Sequence, residues 1–415
     1  MYSVTVRQCV ILLEDTATRG LPLSLTLRGD KPFLAWLMRE MQRFGVEEFV
    51  FLTSRISQDI ATGIENIGGF LPRAAKISIS VAPYEVGTGG ALRHAQPYLQ
   101  KRFFLCSANT LFSCNLARFL TVARKGHWML LRPADPHAHP RDVQVKTRCT
   151  TGGSVSPYND IEPTVQQLIN AGLYLFDAQI CEVLTEICSL EADVLPKLVE
   201  NQNLQRFSLT GDFYSAENAS TLEKILGEMS VRLRRPAVFL DRDGVINRDL
   251  GWVGTRERFE WEPGAREAIA RFCDSGHHVF IVTNQSGIAR GFYSENDLMT
   301  LMDWVVNSIR EYGGTIDDWR YCPMHPESAI EQYRGHSVNR KPEPGMILDL
   351  LQRWELDPMC CVLFGDQPTD MQAARAAGVQ GIMIGPESLS GFVPKLNISL
   401  CENELFERSR HGMGR

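Results

Sequence analysis

The stretch AVFLDRDGVINRD, residues 237–249, decides how the second half of this 415-residue chain folds. Its four apolar residues predict a buried strand that runs directly into Asp241, Arg242, Asp243 and a glycine. Because side chains alternate along a strand, Asp241 and Asp243 are expected to converge. Two carboxylates so placed repel each other unless a cation lies between them or one of them binds a proton. The stretch therefore predicts a charged site at the end of a buried strand.

The composition is that of an ordinary globular protein. Hydrophobic residues make up 44% of the chain and charged residues 22%, and the formal net charge is -6. No long basic block stands out, so a nucleic-acid partner is not expected. The 11 cysteines are scattered, which indicates reduced thiols rather than a disulfide scaffold. The N-terminal stretch reaches acidic residues after a short apolar run, so we expect no secretory signal, no membrane span and a cytoplasmic location.

Apolar strand-like runs alternate with helical patterns in two stretches of the chain, which predicts two α/β domains. The first domain, residues 1–232, is expected to form a mostly parallel sheet with helices on both faces. The second domain, residues 236–390, has the strand and helix order of a doubly wound parallel sheet, in which sites form after the strand ends. The tail, residues 391–415, turns polar, and its last residues are expected to be loose.

Three further groups of polar residues follow apolar strands in the second domain. They are Thr283, Asn284 and Gln285, then Arg340 and Lys341, and finally Asp366 and Asp370. Hydroxyl, amide and backbone N–H groups of the first group can hold phosphate oxygens, and the second group supplies fixed positive charge for a phosphoryl group. Asp366 suits a metal ligand, whereas Asp370 is expected to orient the site or to hold Lys341. Each group alone also fits a strand cap or a solvated pair, but their shared position favours a site.

Asp241 suits the nucleophile of a phosphoryl transfer. Attack of its carboxylate on phosphorus gives an acyl-phosphate, which divides one difficult displacement into two easier ones. Asp243 can protonate the leaving oxygen and later activate water. Mg²⁺ would offset the charges of the carboxylates and the substrate. A turn with an Asx-type cap is the alternative explanation of the two aspartates.

The order DxDG, TNQSG, RKP and GDxxxD resembles the haloacid-dehalogenase superfamily. More closely, DRDGVIN, VTNQSGIARGFYSE and RKPEPGM resemble the D-glycero-D-manno-heptose 1,7-bisphosphate phosphatases, with histidinol-phosphate phosphatases as near relatives. The resemblance implies a doubly wound sheet with a minimal cap, Asp241 as nucleophile, Asp243 as general acid/base, and Mg²⁺ held by Asp241, the Asp243 carbonyl and Asp366. It further implies that Thr283, Asn284 and Lys341 hold the phosphoryl group, and that Arg290 and Arg340 meet the rest of the substrate, including a second phosphate.

One loop departs from the pattern of this family. Its members commonly carry a structural zinc loop with a Cys-x-His start and a Cys-x-Cys just before RKP. Cys322 is present here, and the positions of the other ligands hold Met324, Ser337 and Asn339. One thiolate cannot form a closed tetrahedral site, so a structural zinc is not expected. His325 and His336 beside Cys322 would give three ligands at unusual spacing, which is the alternative.

The first domain resembles the sugar-1-phosphate nucleotidyltransferases over residues 5–230, which implies a Rossmann-like mixed sheet. LRGDKPFLAWLMREMQRFGVEEFVF resembles their first lysine-proline helix, and EVGTGGAL, residues 85–92, their nucleotide-contacting turn. NAGLYLFD, residues 170–177, resembles a sugar-side strand. GDFYSAENASTLEKI resembles the segment that carries a late metal-binding aspartate, here Asp212.

Several functional positions of that second family are replaced. Glu14, Asp15 and Ala17 stand where glycines cradle a triphosphate, Asn109 replaces a metal-binding aspartate, and Ile161-Glu162-Pro163 replaces Glu-Lys-Pro. Lys31, Asp212 and the GTGG turn remain. We therefore expect a degenerate domain that serves as a scaffold or as a sensor of a sugar nucleotide rather than as a catalyst.

Taken together, these features predict a Mg²⁺-dependent phosphatase for a sugar bisphosphate. The expected substrate is D-glycero-D-manno-heptose 1,7-bisphosphate, which would lose its 7-phosphate and feed nucleotide-activated heptose synthesis for lipopolysaccharide or another glycoconjugate. Three alternatives stay open. They are a bifunctional enzyme that also transfers a nucleotidyl group, an N-terminal domain that binds a sugar nucleotide and regulates, and a histidinol-phosphate phosphatase.

Overall fold

The computed structural model describes residues 5–13, 21–27, 30–133, 168–216, 218–385 and 389–392. The expectations for the substituted loop at Glu14, Asp15 and Ala17, for residues 161–163 and for the tail from residue 393 lie outside these ranges. Among the described residues, no helix combines the length and the apolar character needed to cross a lipid bilayer.

The described residues form fourteen strands and eleven α-helices. The strands are β1 (Gln8–Leu12), β2 (Glu48–Thr53), β3 (Lys76–Val81), β4 (Arg102–Ser107), β5 (Thr110–Ser113), β6 (His127–Pro133), β7 (Leu168–Asp177), β8 (Leu204–Ser208), β9 (Asp212–Ser215), β10 (Ala237–Leu240), β11 (His278–Asn284), β12 (Asp318–Cys322), β13 (Cys361–Gly365) and β14 (Gln380–Met383). The α-helices are α1 (Phe33–Arg43), α2 (Gln58–Ile67), α3 (Gly87–His94), α4 (Leu116–Val122), α5 (Leu195–Glu200), α6 (Ala219–Arg232), α7 (Ala265–Asp274), α8 (Ser286–Ala289), α9 (Glu295–Glu311), α10 (Gly345–Trp354) and α11 (Pro368–Ala376).

The N-terminal domain is built on a seven-stranded mixed sheet in the order β3-β2-β1-β4-β7-β6-β8. Strands β1 to β4 run parallel to one another, whereas β7 runs antiparallel to both of its neighbours, β4 and β6. Two separate clusters of buried apolar side chains pack against this sheet, which places covering elements on both of its faces. The expected mixed α/β sheet is therefore confirmed.

The C-terminal domain is built on a five-stranded, wholly parallel sheet in the order β12-β11-β10-β13-β14. Val238 and Leu240 of the central strand pack into one apolar cluster, and Ala237 and Phe239 pack into another. A strand buried on both faces reads as a continuous apolar run, which explains the sequence AVFL. The expected parallel α/β fold is confirmed.

The order of these five strands reverses at β10. The chain first builds β11 and β12 on one side of it and then β13 and β14 on the other. Crevices outside the carboxyl ends of strands at such a switch point are where open α/β sheets bind ligands. The fold thus places Asp241, the residue that follows β10, at the favoured position for a site.

The two domains meet at the opposite, amino-terminal edge of the parallel sheet. Arg43, the last residue of α1, lies with its Nε atom 2.6 Å from Oδ1 of Asp317, which directly precedes β12. Its Nη2 donates to the carbonyl of His277, and its own carbonyl accepts from the hydroxyl of Thr315 at 2.7 Å. Burial alone would raise the pKa of the Asp317 carboxyl, but Arg43 and His278 hold it well below its usual range.

A second group of charged side chains lies next to this contact and connects the N-terminal domain to the segment before β10. Glu40 accepts from Arg235 at 3.0 Å and from the hydroxyl of Ser113 at 2.7 Å. Burial would raise the pKa of Glu40, but the charges of Arg235 and Arg43 lower it to about 2. The carboxylate is therefore ionised at neutral pH and holds the segment that leads into β10.

We predict that the buried ion pair between the two domains contributes far more to the free energy of unfolding than an exposed ion pair between them. The side chains of Arg43 and Asp317 are 2% and 0% exposed, and those of Arg118 and Asp274 are 39% and 41% exposed. Arg43→Leu leaves a buried carboxylate without its cation and should lower the free energy of unfolding by about 3–5 kcal/mol. Arg118→Leu should cost only about 0–1 kcal/mol.

Urea denaturation of the full chain measures both effects. The double variant Arg43→Leu/Asp317→Leu should recover part of the loss, because it removes the unpaired charge as well. Equal losses for the Arg43→Leu and Arg118→Leu variants would contradict the assignment of this contact to the buried pair.

Candidate active site

Strand ends gather the predicted residues of the C-terminal domain at one edge of the sheet. Asp241 follows β10, Thr283 and Asn284 are the last two residues of β11, and Asp366 follows β13. Since these strands are neighbours and parallel, their carboxyl ends lie side by side. The main chain fixes Asp241 further, because its N–H donates to the carbonyl of Phe364 at 2.9 Å.

The ammonium group of Lys341 lies between two of the carboxylates. Its Nζ atom is 2.8 Å from Oδ1 of Asp241 and 2.6 Å from Oδ1 of Asp370, and it donates to the carbonyl of Val282 at 2.9 Å. The side chain is 2% exposed. Burial would lower the pKa of Lys341, but the charges of Asp241 and Asp370 raise it above its usual value. The site therefore contains a permanent positive charge.

Asp370 is held in place by the start of α11. Its Oδ2 accepts from the main-chain N–H of Gln367 at 3.0 Å, which forms part of a capping box. A side chain at Gly365 would bring its Cβ within 2.3 Å of the Cβ of Asp370, so only glycine allows this approach. The expectation that Asp370 holds Lys341 agrees with these contacts.

The site has the donor set of a divalent-cation site. Carboxylate oxygens of Asp241, Asp366 and Asp370 lie within 4.8 Å of one another, and Oδ1 of Asp366 is buried without a hydrogen-bond partner among the described residues. Burial raises the pKa of Asp241, and the neighbouring carboxylates of Asp370 and Asp243 raise it further against the charge of Lys341. A cluster of carboxylate oxygens suits a hard cation such as Mg²⁺.

Gly244 shapes the same cluster from the loop after β10. Its φ is +82°, in the left-handed region, and a Cβ there would lie 2.3 Å from Oδ2 of Asp366. Any side chain would therefore displace the carboxylate that faces the cluster.

Asp243 joins a different set of partners from the one that strand alternation predicted. The strand ends at Leu240, so alternation does not continue to Asp243, and this residue is not part of the acidic cluster. Its carboxylate accepts from Arg242 Nη2 at 2.8 Å, from Asn247 Nδ2 at 2.9 Å and from Gln285 Nε2 at 3.0 Å. Asp366 and Asp370, rather than Asp243, complete the cluster around Asp241.

Two further residues support Asp243 and were missed by sequence reasoning. Arg242, which is fully buried, also donates to the carbonyl of Val253 at 2.6 Å and so ties the following loop to the site. Tyr293 donates its hydroxyl to Oε1 of Gln285 at 2.6 Å, which turns the amide nitrogen of Gln285 toward Asp243. An arginine between two aspartates was the available signal for the first, whereas Tyr293 lies inside the quoted stretch VTNQSGIARGFYSE, which indicated no role for it.

The two residues at the end of β11 have separate partners. Thr283 is 1% exposed, and its hydroxyl accepts from Gln285 Nε2 at 2.8 Å. Asn284 forms two hydrogen bonds with the main chain of Lys341: its Nδ2 donates to the carbonyl at 3.0 Å, and its Oδ1 accepts from the N–H at 3.1 Å. The amide of Asn284 therefore positions Lys341.

Two arginines lie next to site residues along the chain. Arg290 directly follows α8 and is exposed, and Arg340, which precedes Lys341, donates to the carbonyl of Met324 at 3.0 Å. Cys322 is buried at the end of β12. In the part of the chain that the structure describes, the acidic cluster is the only group of three or more His, Cys, Asp or Glu side chains with convergent ligand atoms, so Cys322 gathers no such group.

The transferase-like positions of the N-terminal domain that the structure describes, both the surviving ones and the replaced Asn109, have partners within the protein. Lys31 pairs with Glu355 of the C-terminal domain at 2.7 Å, and Asp212 pairs with Arg232 at 3.2 Å. Oδ1 of Asn109 accepts from Ser107 at 2.8 Å and from Thr110 at 3.1 Å. The glycines of the GTGG turn, Gly87, Gly89 and Gly90, approach the backbone of Glu186 and Cys188.

Comparison with known proteins finds similar sequences and similar solved structures. The HAD-hydrolase-like family matches residues 338–388. A D-glycero-beta-D-manno-heptose-1,7-bisphosphate 7-phosphatase of Rhodopseudomonas palustris is 46% identical over 167 residues, which cover 40% of this chain and 93% of that relative. The crystal structure of a D,D-heptose 1,7-bisphosphate phosphatase of B. bronchiseptica, complexed with magnesium and phosphate, is 29% identical with a TM-score of 0.35 and covers 39% of this chain and 97% of its own. HddC of Yersinia pseudotuberculosis is 20% identical with a TM-score of 0.41 and covers 54% of this chain and 100% of its own.

We predict that Asp366 is needed to bind a divalent cation. Asp366→Asn removes the charge of the carboxylate that faces the cluster and should weaken Mg²⁺ binding, measured by calorimetry, at least about tenfold. Asp249→Asn is the matched control, because Asp249 is an exposed carboxylate close enough to raise the pKa of Asp366. Equal Mg²⁺ affinities for the wild-type protein and the Asp366→Asn variant would rule out the cluster as the binding site.

Proposed function

We propose a phosphoryl-enzyme intermediate on Asp241 for this chain, which belongs to the D-glycero-D-manno-heptose-1,7-bisphosphate 7-phosphatase family. The reaction removes the 7-phosphate of D-glycero-D-manno-heptose 1,7-bisphosphate. The observation that carries the proposal is the contact of Asp241 with Lys341 at the switch point of the parallel sheet. A carboxylate fixed by a buried ammonium group can face a phosphate dianion that would otherwise repel it.

The first step is the transfer of the phosphoryl group to the enzyme. A carboxylate oxygen of Asp241 attacks phosphorus, the bond from phosphorus to the oxygen on C7 breaks, and Asp243 gives its proton to that leaving oxygen. The positive charge of Lys341 and the hydroxyl of Thr283 hold the oxygens of the transferring group. Asn284 acts one step away, because its amide fixes the backbone of Lys341.

The second step returns the enzyme to its starting state. Asp243, now ionised, takes a proton from a water molecule, whose oxygen attacks phosphorus and releases Asp241 and inorganic phosphate. The hydrogen bonds from Arg242, Asn247 and Gln285 keep the Asp243 carboxylate in one orientation through both proton transfers. Mg²⁺, held by Asp241, Asp366 and the carbonyl of Asp243, would supply charge neutralisation for the phosphoryl oxygens.

The charges at the outer side of the site favour a bisphosphate. Arg290 and Arg340 add two positive charges beyond Lys341, and a second phosphate would neutralise them. Histidinol phosphate, the alternative substrate, has a single phosphate and a cationic amine, which these arginines would repel. The product, heptose 1-phosphate, suits the cytoplasmic synthesis of an activated heptose for lipopolysaccharide or another glycoconjugate.

The test is the position of hydrolysis, followed by ³¹P NMR. Wild-type protein with Mg²⁺ should convert heptose 1,7-bisphosphate to heptose 1-phosphate and inorganic phosphate. It should hydrolyse histidinol phosphate at least about 100-fold more slowly, since placing like charges against each other costs several kcal/mol. Accumulation of heptose 7-phosphate, or preference for histidinol phosphate, would refute the assignment.

For residues 1–232 we propose a scaffold role without nucleotidyl transfer, beside a phosphatase domain over residues 236–390. Two charged groups that the transferase resemblance offers for substrate and metal, Lys31 and Asp212, are paired with Glu355 and Arg232. Asn109 replaces a carboxylate, and hydroxyl donors already occupy its oxygen. A cation site in this domain would need these groups free and charged.

Release of pyrophosphate tests this second assignment. The full chain, incubated with heptose 1-phosphate, Mg²⁺ and each of the common nucleoside triphosphates, should release no pyrophosphate above the rate without sugar phosphate. Sugar-dependent release would establish the bifunctional alternative instead. Calorimetry with ADP-heptose and GDP-heptose then separates a silent scaffold from a domain that binds a sugar nucleotide.

A further inference from the structure

We propose that His325 determines substrate specificity by donating a hydrogen bond from Nε2 to the second, non-reacting phosphate of the substrate, together with Arg290 and Arg340. This inference rests on the proposed function, because it needs a substrate with two phosphates. It gives a role to a histidine that sequence reasoning considered only as an alternative zinc ligand.

The tautomer of His325 follows from its own main-chain contact. Nδ1 of the ring accepts a hydrogen bond from the N–H of Glu327 at 3.1 Å, and a backbone N–H can only donate. Nδ1 therefore carries no hydrogen, and the hydrogen of the neutral ring lies on Nε2. Burial and then the charges of Arg340 and Arg290 lower the pKa of His325 against the charge of Glu327, which favours the neutral ring that the hydrogen bond to Nδ1 requires.

The hydrogen on Nε2 faces another donor. Nη2 of Arg290 lies 3.4 Å from Nε2 of His325, and a guanidinium nitrogen has no acceptor capacity. Two N–H donors that face each other cannot form a hydrogen bond with each other. An acceptor group with more than one oxygen, placed beside both, can accept a hydrogen bond from each of them. A phosphate offers three such oxygens and a negative charge that suits the two guanidinium groups of Arg290 and Arg340.

The loop that carries His325 is fixed by hydrogen bonds next to Arg290. The main chain of His325 is bonded on both sides, because its N–H donates to the carbonyl of Tyr333 at 3.0 Å and its carbonyl accepts from Gly335 at 3.3 Å. Ser328, which is 3% exposed, donates its hydroxyl to the carbonyl of Ala289 at 2.7 Å. These contacts position the imidazole against the residue that follows Ala289, which is Arg290.

An aromatic pair lies on the other side of Arg290. The rings of Trp252 and Phe292 are 4.6 Å apart, and both side chains are about half exposed, at 47% and 57%. The guanidinium of Arg290 lies 5.7 Å from the ring of Trp252, within cation–π range. Arg290 therefore lies close to both an aromatic face and His325, and its guanidinium has further N–H groups that can donate to a ligand.

Arg290, His325 and Arg340, which together we call the rim, are connected to the reacting centre through the backbone. Arg340 directly precedes Lys341, whose ammonium group is 2.8 Å from Asp241. A substrate whose reacting phosphate lies at Asp241 and Lys341 would therefore extend past Arg340 toward His325 and Arg290. The donors at the rim suit a second phosphate on the same small molecule.

Paired substrates separate this role from a structural one. We would measure kcat and KM for heptose 1,7-bisphosphate and for heptose 7-phosphate, which lacks the second phosphate. For His325→Leu, KM for the bisphosphate should rise about tenfold with kcat within about twofold, because a charge-assisted hydrogen bond to a ligand is worth about that factor. KM for heptose 7-phosphate should not change.

Three further variants complete the design. His325→Gln should keep most of the affinity for the bisphosphate, since its amide nitrogen reaches the place of Nε2, whereas His325→Asn should not. If the His325→Leu variant fails to fold, the difference in KM for the bisphosphate between the His325→Gln and His325→Asn variants tests the role of His325. His336→Leu is the matched control, because His336 is an exposed histidine of the same loop.

Each outcome has one meaning. Equal changes on both substrates, or none on the bisphosphate, would overturn the role of His325 while the proposed function stands. A wild-type protein that cleaves p-nitrophenyl phosphate but not heptose 1,7-bisphosphate would overturn the proposed function, and this inference with it, before any variant is made.

Discussion

The site depends on one buried contact, the ammonium group of Lys341 between the carboxylates of Asp241 and Asp370. Three buried charges of this kind are costly to assemble, and removing the central one would leave two carboxylates facing each other away from water. The surrounding structure serves this contact. Asn284 fixes the main chain of Lys341, the start of α11 fixes Asp370, and the end of β10 fixes Asp241. In the proposed mechanism, this fixed cation lets an anionic substrate approach the carboxylate of Asp241.

The two ends of the parallel sheet have different functions. The carboxyl ends carry the acidic cluster and its lysine, whereas the amino ends carry the contact with the N-terminal domain, centred on Arg43 and Asp317. The central strand β10 has four residues, so the two edges are separated by only about 13 Å at ~3.3 Å per residue. The N-terminal domain therefore contacts the sheet at the edge opposite the acidic cluster.

The edge of the sheet where the site lies could be predicted from the sequence. Most of the side-chain partners within the site could not. Asp241, Thr283 and Asp366 each follow an apolar run, and parallel strands bring such positions together without further information. Partner choice is different, because it depends on where each strand ends and how the next loop turns. Asp243 lies outside the acidic cluster because β10 ends at Leu240. The amide of Asn284 bonds to the main chain of Lys341, 57 positions away. The pairing of Arg43 with Asp317 spans 274 positions, and no local pattern marks either residue.

The most direct test of the account is to capture the phosphoryl group on Asp241. Wild-type protein would be mixed with heptose 1,7-bisphosphate that carries labelled phosphate at C7, quenched in acid during the first turnover, and digested. The account predicts base-labile phosphate on the peptide that contains residues 237–249, located at Asp241, and none on the Asp241→Asn variant. Turnover without covalent label, or label on another residue, would contradict a phosphoryl transfer through Asp241.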